Sequence, residues 1–337
     1  MNENKLSFAV VVLNWNGREL LEKFLPSLVA CNHPQARLYV ADNASTDDSL
    51  EFLRRNYPQV GIIRNEANYG FAKGYNKALE GLSEDVFVLV NSDIEVTPGW
   101  LDAAVAEFEN NPSTVAAQPR LLDYKDKKMF EYAGAAGGFI DKLGYPYCRG
   151  RIFTEIEEDR GQYCENTDIF WATGACLFVR RDAFVRLGGF DADFFAHLEE
   201  IDLCWRILNS GGRVRYLASS KVYHLGGATL KKYDARKTYL NFRNSLFAIV
   251  KNMPAYRIPY VVLLRLLLDG VQGVRFLGEK RPRHTWALVR AHFSFYANFM
   301  KMWRKRSLTP AKTRKYYHTG SVVLQHFVCG KKYFSQL

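Results

Sequence analysis

Short apolar runs alternate with helical periodicity through the first third of the chain. "FAVVVLN", "RLYVADN", "VGIIRN" and "DVFVLVNSD" read as strands, and the intervening stretches at Gly17 to about Cys31, Thr46–Tyr57 and Phe71–Leu82 read as helices. "TPGWLDAAVAEFENN" predicts a further helix, with Thr97 as N-cap and Pro98 at the first helical position. Strands alternating with helices of this length imply βαβ units, hence an α/β fold: a Rossmann-like, mostly parallel sheet flanked by helices. In such sheets ligands sit beyond the carboxyl ends of the strands. Those ends carry the polar residues here: Asn14 and Asn16, Asp42 and Asn43, Asn91 and Asp93.

The pattern changes twice further on. From about Met129 to Arg151 the chain is rich in Gly and Tyr, which predicts a hairpin or a flexible flap. "IFWATGACLFVRRDAFVRLGGFD" then reads as a strand and a short helix. In "HLEEIDLCWRILNSGG", Ile201, Cys204, Trp205 and Leu208 form one apolar stripe, and Gly211-Gly212 supplies the stop. After "RVRYLASSKVYHLGG" the rhythm ends, and residues 233–303 read as long helices. The chain divides into residues 1–228, an α/β body, and residues 229–337, a helical extension.

Charge sharpens that division. Residues 229–337 hold 22 Lys/Arg against three acidic residues, net +19, whereas residues 1–228 hold 24 against 32, net −8. A basic, aromatic tail on a mildly acidic body points to an anionic partner, either nucleic acid or a membrane surface. The six cysteines lack any C-x-x-C spacing, which argues against a zinc or redox site. The first apolar run is too short and too early for a signal peptide, so a cytoplasmic chain is expected.

Each candidate chemical group has a structural alternative. Asp93 follows a buried strand, where it serves either as a turn residue or as a ligand for Mg²⁺ or Mn²⁺. Asp42, at another strand end, suits a base or ribose contact. Asn68, Gly70, Gly74 and Asn76 open a helix where glycine permits close approach and the helix N-terminus suits phosphate. His224 is either a satisfied structural histidine or a metal ligand. Glu199, Glu200 and Asp202 are either the acidic first turn favoured by the helix dipole or the source of a general base. Neither G-x-G-x-x-G nor G-x-x-x-x-G-K-[ST] occurs, so a dinucleotide or P-loop site has no support.

"VVVLNWNG", "ADNASTDDS", "NYGFAKGYNKAL", "VNSDIEV", "WATGACLFVRRDAF", "GGFDADFFAHLEEIDLCWR" and "VYHLGGAT" together resemble family 2 glycosyltransferases of the rhamnosyltransferase-like branch, over residues 6–228. The resemblance implies the GT-A fold and an inverting, metal-dependent transfer of sugar from a nucleotide-diphospho-sugar. By it, Asp42 matches the acid that contacts the nucleobase, and Asn14, Asn16, Asn68, Gly70, Gly74, Asn76 and Asn91 fall in the donor-binding segments. Asp93 matches the metal carboxylate of D-x-D, with Asn91 replacing the first Asp. Glu200 matches the base, where Asp is more usual, and Glu199 is its understudy. His224, 24 residues beyond Glu200, matches a metal-bound histidine. Trp171, Thr173 and Gly174 are candidates for the acceptor side, although Trp171 reads equally well as core.

A glycan acceptor, lipid-linked as in similar enzymes, implies a peripheral site on an anionic membrane surface, with no nucleic acid partner expected. Ile258–Gly278 has the length of a membrane span, but Arg265, Asp269 and Arg275 make spanning costly. It is expected instead to lie in the interface or to pack on the body. Two rivals share part of this pattern: a sugar nucleotidyltransferase, and a non-catalytic protein that binds membrane or nucleic acid.

Overall fold

The computed structural model describes residues 5–226 and 234–337. The division at 228/229 and the last residues of "VYHLGGAT" lie outside them. The chain runs β1 (Phe8–Asn14), α1 (Arg18–Ala30), β2 (Ala36–Asp42), α2 (Ser49–Asn56), β3 (Gly61–Arg64), α3 (Gly70–Leu79) and β4 (Val86–Asn91). Next come β5 (Ile94–Val96), α4 (Asp102–Asn110) and β6 (Thr114–Asp123), then four short strands, β7 (Gly138–Ile140), β8 (Pro146–Cys148), β9 (Arg151–Ile152) and β10 (Glu155–Ile156). The body closes with β11 (Thr167–Asp168), β12 (Cys176–Arg180), α5 (Arg181–Arg186), α6 (Glu199–Asn209) and β13 (Arg213–His224). The extension holds α7 (Ala235–Asn252), α8 (Ile258–Gly278), α9 (Pro282–Arg304) and α10 (Val322–Phe327).

The main sheet has the order β11-β13-β6-β12-β4-β1-β2-β3, with β5 paired to β13. The β1–β2, β1–β4, β2–β3 and β6–β13 pairs are parallel, and β12 is inserted antiparallel between β4 and β6. This is a mostly parallel mixed sheet of the GT-A kind. Both of its faces are covered, and strand alternation divides the core in two. Ala9 and Val11 join the cluster under α3, α6 and α7, while Phe8, Val10 and Val12 join the one under α1 and α4. The parallel register sets Asn14 opposite Asp42 and Leu13 opposite Asn91, so the polar strand ends lie at one edge.

Two expectations from periodicity are corrected and one open alternative is resolved. The helix after β5 begins at Asp102, not at Thr97. Gly99 sits at φ +74, outside the helical region, and the Thr97 hydroxyl donates to the Lys221 carbonyl (2.8 Å) instead of capping. Of the hairpin and the flexible flap expected for residues 129–151, the structure has the hairpin, β7 paired antiparallel with β8. Strands β7–β10 form a second sheet whose Ala135, Ala136, Cys148 and Ile152 are fully buried. Finally, α6 is buried almost all round, Leu203 and Ile207 included, because α7 covers the side that a surface helix would turn to water.

The extension shares the main core through Phe247, Ile249, Phe295, Met302 and Tyr316. Arg265 and Asp269 of α8 point inward. The Arg265 guanidinium lies 3.9 Å from the centre of the Tyr145 ring and donates to Ser245 Oγ (2.8 Å). Asp269 accepts from Tyr145 (3.0 Å) and faces His292 Nε2 at 3.1 Å. Among the described residues no helix is long and apolar enough to cross a membrane.

The second sheet is pinned by a close approach. A Cβ at Gly138 would stand 2.0 Å from the Trp171 ring, whose Nε1 donates to the Phe139 carbonyl (2.9 Å). Gly138→Ala is therefore expected to destabilise the protein by about 1–3 kcal/mol, read as a lower melting temperature.

Candidate active site

The first strand end is built as a frame. Asn14, fully buried, donates to Asp42 Oδ1 (3.3 Å) and Ser45 Oγ (3.2 Å), and Asp42 Oδ2 accepts from the Ser45 amide (3.0 Å). Asn16 Oδ1 accepts from Thr46 N (2.7 Å), which shapes the loop after β2. Between the two asparagines, Trp15 is 51% exposed. Asn43 extends the frame by donating to Asn68 Oδ1 (3.0 Å) and the Gly70 carbonyl (3.1 Å). Gly74 lies against the Asn43 amide, where a Cβ would come within 3.1 Å. Asn76 is turned elsewhere: its amide holds both Phe190 N (2.9 Å) and Phe190 O (2.7 Å). It therefore clamps the 189–190 turn and stays outside the frame.

A second group forms where β5 pairs with β13. The register sets His224 opposite Ile94, which brings the imidazole to Asp93. His224 Nε2 lies 3.1 Å from Asp93 Oδ1, and Nδ1 lies 3.2 Å from Glu131 Oε1. All three are buried. Burial, the largest influence, lowers the histidine pKa, but Glu131 and Asp93 outweigh it and carry it up to about 10. Without a cation at Nε2 the imidazole is charged between the two carboxylates, and a divalent ion would take the place of the Nε2 proton. Octahedral ligands about 2.1 Å from an ion lie about 3 Å apart, so the Asp93–His224 spacing fits one edge of such a site. Glu131 fixes the ring and leaves Nε2 as the ligand atom, a carboxylate–histidine arrangement typical of metal sites. Among the described residues no three His, Cys, Asp or Glu side chains could hold an ion by themselves, as suits Mg²⁺-type sites completed by phosphate and water. Asn91, half-buried beside them, makes no side-chain hydrogen bond to any described residue.

The carboxylate helix begins under strain. Phe195, His197 and Leu198 have φ of 65°, 69° and 68°, left-handed values that cost non-glycine residues roughly 1–3 kcal/mol each. The cost is met from α7. The fully buried Asn244 amide donates to the carbonyls of Phe194 (2.9 Å), Ala196 (3.0 Å) and His197 (2.8 Å), and Arg243 donates to the Asp193 carbonyl (2.9 Å). The three acids of the first turn then meet different fates. Asp202 accepts from Arg206 (2.9 Å), Lys251 (2.8 Å) and Asn252 (2.8 Å), and these partners keep it ionised despite its burial. Burial and then the neighbouring Glu200 push Glu199 well above the usual carboxylate range. Burial raises Glu200 from 4.5 to about 7. One oxygen of each glutamate has no hydrogen-bond partner.

These groups converge. A Cβ at Gly174 would lie 3.2 Å from the Phe71 ring and 3.8 Å from Glu200 Cβ, and one at Gly70 would lie 3.1 Å from the Phe195 ring. Cys148 feels the charge of both Glu131 and Glu200. Trp171 and Thr173, by contrast, are core. Trp171 is 3% exposed beneath Gly138, and Thr173 is tied to Gln118 Oε1 through its amide (3.0 Å) and to the Ala175 amide through its hydroxyl (3.2 Å). Of the acceptor-side residues, Gly174 is the one that adjoins Glu200.

Residues 9–188, just over half the chain, match the family described as Glycosyl transferase family 2. The chain is a family 2 glycosyltransferase. This transferase is similar to N-acetylglucosaminyl-diphospho-decaprenol L-rhamnosyltransferase of Mycobacterium tuberculosis, 29% identical over 231 residues, covering 64% of this chain and 75% of that one. It is also similar to rhamnosyltransferase WbbL of Escherichia coli, 23% identical over 259 residues, covering 70% and 95%. In fold it is similar to GalNAc-T7, known in a crystal structure with UDP, GalNAc and Mn²⁺, at a TM-score of 0.65 and 15% identity. That alignment covers 98% of the transferase but 57% of GalNAc-T7, a longer chain.

Sequence reasoning missed two residues. Trp15 carried a signal, since it is an aromatic immediately after the first strand between two asparagines. Glu131 carried none: it lies in an irregular segment folded back on β6, and only tertiary contact brings it to His224. For Glu200 the linkage has a definite sign. A raised folded-state pKa stabilises the protein below the ordinary glutamate value, and the effect is lost as pH rises through about 7. Glu200→Gln is therefore expected to gain melting temperature relative to wild type between pH 5 and 8, by about 1–3 kcal/mol at the upper end.

Proposed function

We propose that this transferase moves a sugar, in the first instance a rhamnose-like hexose, from a nucleotide-diphospho-sugar to a hydroxyl of a glycan acceptor, with inversion. Glu200 carries the reading. It is a carboxylate at the start of a helix with one unpartnered oxygen, set by burial to change protonation near pH 7. A base of that pKa accepts a proton at neutral pH without being too weak to draw it off. Burial and the neighbouring Glu200 hold Glu199 well above the usual carboxylate range, which disfavours a second charge beside the base. In the transfer, the acceptor oxygen loses its proton to Glu200 as it bonds to the anomeric carbon, and the bond from that carbon to the diphosphate oxygen breaks.

The donor would lie across the strand ends. Asp42 and Asn14 frame the nucleoside loop, Trp15 offers an exposed face for stacking the base, and the α3 N-terminus at Gly70 would face phosphate, with Gly74 packed behind it against Asn43. Asp93 and His224, with Asn91 beside them, would hold Mg²⁺ or Mn²⁺. When bound, the ion supplies charge neutralisation of the departing diphosphate. Gly174 leaves room next to Glu200 for the acceptor. The rhamnosyltransferase named for a diphospho-decaprenol acceptor supports a lipid-linked glycan, used in cell-surface polysaccharide synthesis at a membrane.

Turnover, its pH dependence and donor binding test this. Glu200→Gln and Asp93→Ala should each lower transfer by at least about 10²-fold while the proteins stay folded, and wild-type turnover in either would remove that residue from the mechanism. Wild-type kcat/KM should rise with pH through about 7, whereas the residual rate of Glu200→Gln should not show that step. A screen of nucleotide-sugars with Mn²⁺ or Mg²⁺ should raise the melting temperature for the true donor. Pyrophosphate release from a nucleoside triphosphate and a sugar phosphate would instead identify a nucleotidyltransferase.

A further inference from the structure

Helix α8 is built inside out. Its buried positions include Arg265 and Asp269, whereas Leu263, Leu267, Val271 and Val274 form a stripe turned to the outside. Leu267 is 59% exposed and Val274 70%. A water-facing helix places its charges outward and its leucines inward, so this one is patterned for a non-aqueous neighbour. The pattern continues on α9, where Trp286 and Phe293 are 62% and 70% exposed. Between the start of α8 and the end of α9 lies an apolar groove of about 600 Å³, lined by Ile258, Pro259, Val262, Phe295, Phe299 and Trp303 among others.

Cations border this surface. Residues 255–304 hold nine Lys/Arg against two acids, and one of those acids, Asp269, is buried with Arg265. Arg283, Arg290 and Arg304 recur along α9 at helical spacing, exposed beside the aromatic stripe. Exposed Tyr256, Tyr260, Tyr296 and Trp303 add amphipathic rings of the kind found at headgroup level.

We propose that the outer face of α8 and α9 seats on an anionic phospholipid bilayer, with the Leu263–Val274 stripe and Trp286 and Phe293 dipping into the boundary of headgroup and acyl chain. This deepens the membrane-surface part of the reading above and rests on it only for its purpose. Charge decides between the occupants. A second copy docked through a two-fold axis would set the same cationic border against itself, whereas an anionic leaflet complements it. With no helix among the described residues long and apolar enough to cross, the face lies in the plane of the interface. The seat also reaches the chemistry. Lys301 and Lys305, at the end of α9, bind Asp193 and Asp191 (each 2.6 Å) on the loop that leads into Glu199 and Glu200. A lipid-linked acceptor arriving along this surface would come to the base side of the site.

The full chain should co-sediment with vesicles of phosphatidylglycerol and phosphatidylethanolamine in equal parts, and about tenfold less with phosphatidylcholine or in about 1 M salt. Leu267→Glu with Val274→Glu should lower partitioning at least about tenfold, as should Arg283→Glu with Arg290→Glu at low salt. Both pairs point outward, so melting temperature and transfer to a short water-soluble acceptor should stay at wild-type values. Equal sedimentation with both vesicle types, or no loss in the Leu267/Val274 variant, overturns the proposal. A solution dimer that the same variant converts to monomer also overturns it and assigns the face to a second copy. Binding is read without donor or acceptor, so its failure leaves the transferase reading standing, and failure of transfer leaves the vesicle result intact.

Discussion

The site depends on one buried amide. Asn244 of α7 donates to the carbonyls of Phe194, Ala196 and His197 in the turn that ends at Leu198, and so holds backbone conformations that residues with a Cβ disfavour. That turn sets the direction of α6 and places Glu199 and Glu200 at its first residues. The same helix α7 covers α6 and removes water from its acids. Covering and clamping are one act of packing. A residue from the helical extension thereby becomes part of the catalytic body's architecture.

Desolvation then divides three chemically similar groups. Asp202 has Arg206, Lys251 and Asn252 as partners, and it stays charged. Glu199 has only a neighbouring carboxylate and is driven toward the neutral form, while Glu200 is left near neutrality. Buried charges stand only where partners compensate them, and removing one partner of such a pair typically costs about 3–5 kcal/mol. Lys251 and Lys305 extend the compensation to Asp191. The loop before α6 is accordingly held by ion pairs on one side and by the Asn244 amide on the other.

The extension shows the opposite use of polarity. Arg265 and Asp269 lie inward and face each other at 3.5 Å, with Ser245, Tyr145 and His292 as hydrogen-bond partners, so neither buried charge lacks a counter-charge. Facing them inward frees the outer surface of α8 to be apolar. Of the three charges that argued against a membrane span in the linear sequence, the fold hides Arg265 and Asp269 and leaves Arg275 exposed, paired with Glu279.

Much of this protein was legible before the fold was known. Short apolar runs from Phe8 to Asn91 announced a βα sheet, and the polar residues at their carboxyl ends marked one edge as the candidate site. Local rules sufficed because those signals depend on near neighbours in the chain. Failures arose where distant contact outweighed local pattern. Thr97 looked like a cap, but its hydroxyl was taken by Lys221. The Gly-rich segment read as a hairpin or a flap, and distant contact chose the hairpin, with Trp171 and Thr173 filling the spaces at Gly138 and Gly134. Asn76 shared a motif with Asn68 but faces another turn. Sequence alone determined the α/β sheet, its polar edge and the acidic start of α6, because each is written in periodicity and strand-end chemistry. Only the tertiary structure decided which glutamate titrates near pH 7, that Glu131 stands behind His224, and that α8 turns its leucines outward. Burial and partnership belong to the packed molecule, since both are set by residues far away along the chain.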